Sequence, residues 1–344
     1  MSLDPRQIEV LGIIIHAFIE SATPVGSRYV AKKSTLSLSP ASMRNIMADL
    51  TEMGYLTQPH TSAGRIPTSK AFRYYMESIF KPAMLSPRNR ETIKDSLSEA
   101  GLGFTDVLEH ASKLISNQSS QVGMAVAPRR STVRFHQIDF VLVRPGLVMA
   151  IMILQGGIVQ NRLLAVEEKI GTDELIKFSN YLNDKFQGRT LLEVKKKIID
   201  EMKQAENQFN AMYFRALDLA RNAVNTPQSD REIFVEGMIN VLNRGEQVDF
   251  ASMRELLEFL EQRSNLLGIL DRISETQGLI VSFGTEFYGP ELEGWSLISS
   301  PYTYKGQPLG LVGTIGPIHM DYTKMVPMVD YVAKMLTDIL ETRF

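Results

Sequence analysis

One stretch limits the fold more than any other: Ser39–Thr68, SPASMRNIMADLTEMGYLTQPHTSAGRIPT. Ser39-Pro40 is a helix start, because Ser can cap the free N–H groups and Pro suits the first helical position. Met43, Ile46, Met47, Leu50 and Met53 then recur at helical spacing and form one apolar stripe. The opposite side carries Ala41, Asn45, Ala48 and Glu52, with Arg44 on its flank. Gly54 ends the helix. A helix with small residues beside Arg and Asn lets a nucleic-acid backbone approach closely and leaves side chains that read base edges. Arg favours guanine and Asn favours adenine.

The flanking residues fit the same purpose. Pro5–Glu20 has the helical pattern, with Ile8, Leu11, Ile14, Ile15, Phe18 and Ile19 on one face. Thr23-Pro24-Val25-Gly26 is a turn, and Ser27 is expected to cap a short helix, Arg28–Lys33. Helix, short helix, turn and capped helix is the helix-turn-helix order. Afterwards Tyr55–Gln58 reads as a strand, Pro59–Gly64 as a polar loop, and Arg65-Ile66-Pro67 as the return. Thr68 can cap a following helix through Phe72, Tyr75, Met76 and Phe80. This is the layout of a wing, with Arg65 at its base placed for a minor groove or a phosphate.

Charge supports the assignment locally. The chain as a whole has net charge −2. Between Ser21 and Met76 the basic residues are Arg28, Lys32, Lys33, Arg44, Arg65, Lys70 and Arg73, against Asp49 and Glu52, a local balance of +5. Such a patch attracts phosphate without making the remainder sticky. The chain has no cysteine, which excludes disulfides and thiolate metal sites, and its histidines lack ligand spacing. No metal and no cofactor is expected. No P-loop, dinucleotide fingerprint or catalytic carboxylate motif is present, so an enzyme is not expected. Neither a signal pattern nor an apolar run long enough to span a bilayer is visible, and the expected location is cytoplasmic.

Beyond residue 80, Lys81–Asn89 reads as a linker, followed by helices at Glu91–Glu99 and Thr105–Asn117 and a strand at Gln121–Ala127. Phe135–Val143, Leu147–Leu154 and Ile158–Val166 form an antiparallel meander. Helices are expected at Thr172–Phe186, Leu191–Met202, Ala205–Val224, Ile233–Leu242 and Met253–Arg272. Strands return at Leu279–Phe283, Trp295–Tyr304 and Pro308–Gly316, and Tyr322–Glu341 is a closing helix. Leu147–Leu154 is apolar on both faces, so it is either a central strand or part of an interface. The helix Ala205–Val224, with Phe209, Met212, Phe214 and Leu217, is either a second interface or a core face.

SPASMRNIMADL…GYLTQPHTSAGRIPT resembles the N-terminal signature of the HrcA family, bacterial heat-inducible repressors of chaperone operons, and PVGSRYVAKK matches the family segment before it. The run QPHTSAGRIPT is long and chemically unusual, which makes the likeness specific. One departure is Ile46, where members often carry an acid; it sits on the apolar stripe. The resemblance implies an α+β chain: an N-terminal winged helix-turn-helix over residues 1–85, then a GAF-like α+β domain in two parts, 86–135 and 227–344, interrupted by an inserted dimerisation domain over 136–226. A homodimer also has an independent reason, since a two-fold dimer matches an inverted repeat.

The expected partner is double-stranded DNA. Arg44, Asn45 and Ser42 would read bases; Arg28, Lys70 and Arg73 would meet phosphate; His60, Thr61, Ser62 and Arg65 would form the wing contact. Ser27, Ser39 and Ala41 complete the DNA-facing set. The resemblance further implies an inverted-repeat operator known as CIRCE and a GroEL-type chaperonin that supports the active fold and is diverted by heat. Two rivals stay open: a ligand-sensing winged-helix regulator whose GAF-like half binds a small molecule, and an enzyme acting on nucleic acid.

Overall fold

The computed structural model describes residues 3–61, 63–101, 103–129, 131–166, 170–207, 211–224, 231–242, 250–262, 278–287, 289 and 292–343. The first elements are α1 (Pro5–Ser21), α2 (Ser27–Lys33) and α3 (Pro40–Glu52), then the strands β1 (Leu56–Thr57) and β2 (Ile66–Pro67) and the helix α4 (Ser69–Ser78). Asp4 starts α1 with a full capping box, accepting from Arg6 and Gln7 N–H while Gln7 returns to its backbone. The apolar faces of α1, α3 and α4 converge: Leu11, Ile14, Ile15, Met43, Leu50 and Phe72 are fully buried together. Ser27 departs from its expected role. It is the first helical residue of α2, Gly26 is the N-cap, and no side chain caps that end. The reason lies next door, where Val25 exchanges two backbone hydrogen bonds with Arg65 at 2.9 Å each and so fixes where the turn ends.

The expected linker is shorter than the sequence suggests. Ser86 caps α5 (Pro87–Ser98) with Pro87 at its first position, so the helix begins inside Lys81–Asn89. After α6 (Phe104–Ser119) comes β3 (Val122–Val126). Much later follow β7 (Ile233–Glu236), α10 (Met238–Leu242), α11 (Phe250–Glu261), β8 (Ile280–Phe283), the short α12 (Gly284–Phe287), β9 (Trp295–Tyr304), β10 (Gln307–Pro317) and α13 (Tyr322–Arg343). Their strands make one antiparallel five-stranded sheet in the order β7-β3-β10-β9-β8. One face packs on α6 and α13, with Ala125, Ile298, Val312, Val329 and Leu336 in the same buried cluster as α1, α3 and α4. The other face packs on α11 through Leu256, Phe259, Trp295 and Leu311. Gly123 lets α6 lie close to β3, because a Cβ there would stand 2.0 Å from the Ser112 carbonyl oxygen.

The segment Ile233–Leu242, expected as one helix, is a strand and a short helix. Ile233, Phe234 and Val235 are β-favouring and pair with the edge of β3, and Gly237 at φ +81° breaks the run before α10. Of the helix expected over Met253–Arg272, the part from residue 263 onward lies outside the described residues, as does Phe209.

Between β3 and β7 stands a second sheet, β4 (Phe135–Arg144), β5 (Leu147–Leu154) and β6 (Ile158–Ala165), an antiparallel meander with β5 in the centre. Its inner face, including Phe140, Val148, Ala150, Met152 and Leu164, packs on α7 (Thr172–Phe186), α8 (Leu191–Asn207) and α9 (Ala211–Val224). Leu217 is buried in that core. The Asn183 side chain grips β4, accepting from Ile138 N–H at 2.7 Å and donating to Ile138 O at 3.0 Å.

Candidate nucleic-acid interface

The site is built on α3. Ser39 Oγ accepts Ser42 N–H at 3.2 Å and Pro40 supplies the first helical residue, so the helix is fixed at its N-terminus. Met43, Met47 and Leu50 are buried and Ile46 is half-buried at the edge of the same stripe. Ala41, Arg44 and Asn45 are exposed, and Ser42 is half-buried. Among the described residues, no group is hydrogen-bonded or ion-paired to the Arg44 or Asn45 side chains. Arg28, Lys32 and Lys33 are also exposed, and Tyr29 beside them is 40% exposed, a large apolar ring in an otherwise cationic surface.

The loop after β1 is shaped by a residue that sequence reading passes over. Gln58 Nε2 donates to Thr61 O at 2.9 Å and to Ala63 O at 3.0 Å, which closes the loop on itself. His60 and Thr61 are exposed at its tip. Ser62 lies outside the described residues. Gly64 sits where the loop passes Val25; a Cβ there would be 2.4 Å from Val25 O. Arg65 is half-buried and donates from Nε to Thr51 Oγ1 at 3.1 Å, binding the base of the loop to the end of α3. The only sequence signal for these roles is a Gln two residues before the expected loop tip and a Gly beside Arg65.

Two of the expected phosphate contacts have partners within the protein. Lys70 is exposed, but its Nζ donates to Met53 O at 2.8 Å and lies 4.5 Å from the Tyr55 ring centroid, so it caps the C-terminal end of α3. Arg73 is half-buried and pairs with Glu286. Those hydrogen bonds hold its guanidinium above the ordinary arginine value, against the opposing effect of burial. Thr68 caps α4 and also donates to Gly54 O at 2.8 Å. Together Arg65, Thr68 and Lys70 tie the hairpin and α4 to the last turn of α3. Among the described residues, no three or more His, Asp or Glu gather as a metal-binding group. No described helix is long and apolar enough to cross a membrane.

Comparison with known proteins adds independent evidence. A family model described as the HrcA protein C-terminal domain matches residues 105–326. The heat-inducible transcription repressor HrcA of Nitratidesulfovibrio vulgaris (strain DSM 19637 / Miyazaki F) is 43% identical, over 100% of this chain and 97% of its own length. The protein of the same name from Geobacter sulfurreducens is 40% identical over 98% of each chain. A solved structure titled as a hypothetical protein at 2.2 Å resolution covers 100% of both chains with a TM-score of 0.65 at 24% identity, a likeness of fold. A mixed α+β chain with a cationic helical surface thus stands among transcription repressors. The chain belongs to the HrcA family, the heat-inducible transcription repressors.

Proposed function

We propose that the chain is a dimeric repressor of heat-shock chaperone operons that binds double-stranded DNA. In this reading residues 1–85 are a winged helix-turn-helix, 86–135 and 227–344 a GAF-like domain, and 136–226 an inserted dimerisation domain. Two copies of α3 enter successive major grooves of an inverted-repeat operator of the CIRCE type and block transcription by occupancy. Arg44, Asn45, Ser42 and Ala41 face base edges, with Ser39 and Ser27 at the flanking backbone. Arg28 and Lys70 meet phosphate, and His60, Thr61 and Arg65 form the wing contact. The single observation that carries the reading is the exposed Arg44 and Asn45, without a partner among the described residues, on a capped helix whose other face is buried.

Dimerisation through the insert has support of its own. The outer face of the β4–β6 sheet exposes large apolar side chains: Val141 (47% exposed), Val159 (61%) and Leu163 (55%) stand with half-buried Met149, Ile151 and Ile153, among the polar Gln137, Asp139 and Asn161. The register aligns Val141, Met149 and Leu163 in one row across the three strands. An apolar row at one end of this face, beside the polar Asp139, Gln137 and Asn161, on a sheet whose other side is already covered favours burial against a second copy.

The activity is supported in this reading by a GroEL-type chaperonin, which heat diverts to unfolded clients. The test is a footprint of the purified protein on its own genome's chaperonin promoter, with and without chaperonin. Protection of two half-sites on one face of the duplex, strengthened by chaperonin, is expected. An unprotected promoter under both conditions refutes the proposal.

One observation favours the ligand-sensing alternative. A cavity of about 470 Å³ lies where Phe104, Pro128, Met152, Gln160, Arg162 and Glu232 approach one another, between the two sheets. Gln160 lines it, and its Nε2 is buried without a hydrogen-bond partner among the described residues. A sharp thermal shift on adding a small molecule, without chaperonin, would select that reading.

A further inference from the structure

Arg73 and Glu286 are 213 residues apart in sequence and meet as a two-pronged pair. Arg73 Nε donates to Glu286 Oε1 at 2.8 Å, and Nη2 faces Oε2. The guanidinium also lies over the Phe283 ring, 5.1 Å from its centroid. Glu286 is itself aimed. Its Oε2 accepts Phe283 N–H at 2.9 Å, the reach from the third helical residue back to the N-cap that starts a helix such as α12. The pair therefore joins α4, which follows directly on the hairpin, to the β8–α12 corner of the five-stranded sheet.

Beneath it is an apolar contact. The Phe72 ring lies 5.9 Å from Phe283 and 6.0 Å from Tyr322, and all three are essentially fully buried. Phe18 meets His319 edge-on at 5.8 Å nearby. Packing of this kind supplies attachment but is not strongly directional. A guanidinium–carboxylate fork fixes direction, because two parallel N–H···O bonds define an angle that one contact leaves free. Arg73 and Glu286 are 33% and 36% exposed, and a pair that wet adds little to stability. Its contribution is the angle at which the N-terminal helices sit on the sheet.

That angle has a functional meaning in a two-fold dimer. The separation and tilt of the two reading helices decide which half-site spacing both can occupy at once. We propose that Glu286 is a positioning residue: acting through Arg73, it fixes the presentation of α3 and so sets the preferred spacing between operator half-sites. The inference rests on the dimeric, inverted-repeat reading above. It moves Arg73 from a phosphate contact to the joint between reading helix and body.

The experiment uses the full-length protein and duplexes carrying either an isolated half-site or an inverted repeat whose central spacer changes in single-base-pair steps. Glu286→Gln keeps an oxygen for Phe283 N–H and removes the charge. The unaltered protein should prefer one spacer about tenfold or more over spacers two base pairs away, as rigid half-site geometry requires. Glu286→Gln should flatten that preference to about threefold or less while half-site affinity stays within about twofold, the pattern of a lost angle and an intact reading surface. Arg73→Gln combined with Glu286→Gln should be no worse than either alone, as coupled partners behave, and Arg73→Lys should restore part of the preference. An unaltered spacer profile in Glu286→Gln overturns the inference, as does an equal loss on the half-site. A gain in half-site affinity overturns it too, because Arg73 would then have been withheld from phosphate. A parent protein indifferent to spacing refutes the dimeric reading and takes this inference with it. A parent that discriminates beside a variant that discriminates equally refutes the inference alone.

Discussion

Replacing Gly64 by Ala tests how the loop between β1 and β2 is anchored. The added Cβ would lie 2.4 Å from Val25 O, 2.5 Å from Val25 C and 2.8 Å from Pro24 C. All three are backbone atoms, so no side chain can rotate away and the strands must part. Parting them breaks the reciprocal bonds Val25 N–H to Arg65 O and Arg65 N–H to Val25 O, each 2.9 Å. At about 1 kcal/mol net for each bond the loss is about 2 kcal/mol. The substitution also restricts the unfolded chain, which returns about 0.4–1 kcal/mol. The expected net destabilisation is about 1–1.5 kcal/mol, read by urea unfolding with hydrogen exchange at Val25 and Arg65 as the local probe. If the loop is the proposed wing, displacing its base by this much should weaken operator binding by about tenfold, the equivalent of about 1.4 kcal/mol. Gly294→Ala is the control, since nothing lies within 4 Å of its added Cβ. Gly64→Ala matching that control in stability and in exchange would refute the steric argument, and normal operator binding would refute the wing's role.

Arg44→Ala should cost about 1–3 kcal/mol on the operator, measured by titration at fixed salt, with a smaller loss on random DNA; equal losses would leave only a phosphate contact. Lys70→Gln should reduce the slope of log affinity against log salt by about one. Ile151→Asp places a second carboxylate directly across from Asp139 on the outer face of the β4–β6 sheet, and sedimentation should find the variant monomeric. Glu9 accepts from Ser34 Oγ and from Thr35, and the Ser34 bond, helped by Thr35 against slight burial, holds its carboxyl below the ordinary carboxylate range. A carboxyl with a lowered folded value stabilises above its unfolded value and loses that stabilisation as pH falls through the folded one. Glu9→Gln should therefore narrow the stability difference between neutral and acid pH; an unchanged acid dependence would show the contact to be idle.

What was legible in the sequence was whatever is written in near-neighbour pattern. The start of α3 at Ser39-Pro40, its buried stripe, the stop at Gly54, the limits of β5 and β9, and the exposed outward Arg44 all follow from caps, turn residues and a period of 3.6 or 2. The apolar spacing of Ile233–Leu242 serves a helix as well as a strand, so the sequence alone does not choose between them. The edge of β3 decided between them, and Gly237 recorded the decision as a positive φ. Ser27 has the residue type of a cap but does not make one, because the turn before it is fixed by the backbone bridge of Val25 to Arg65.

The roles of the basic residues divide along the same line. That Arg28, Arg44, Arg65, Lys70 and Arg73 form a cationic stretch is a property of the chain, and no fold can remove it. Which of them stay free is not. Lys70 turns to a helix end 17 residues away, Arg65 to Thr51, and Arg73 to Glu286 at the far side of the sequence. A long cationic side chain is satisfied by any carbonyl or carboxylate that folding brings within reach, and only the tertiary structure decides which one arrives.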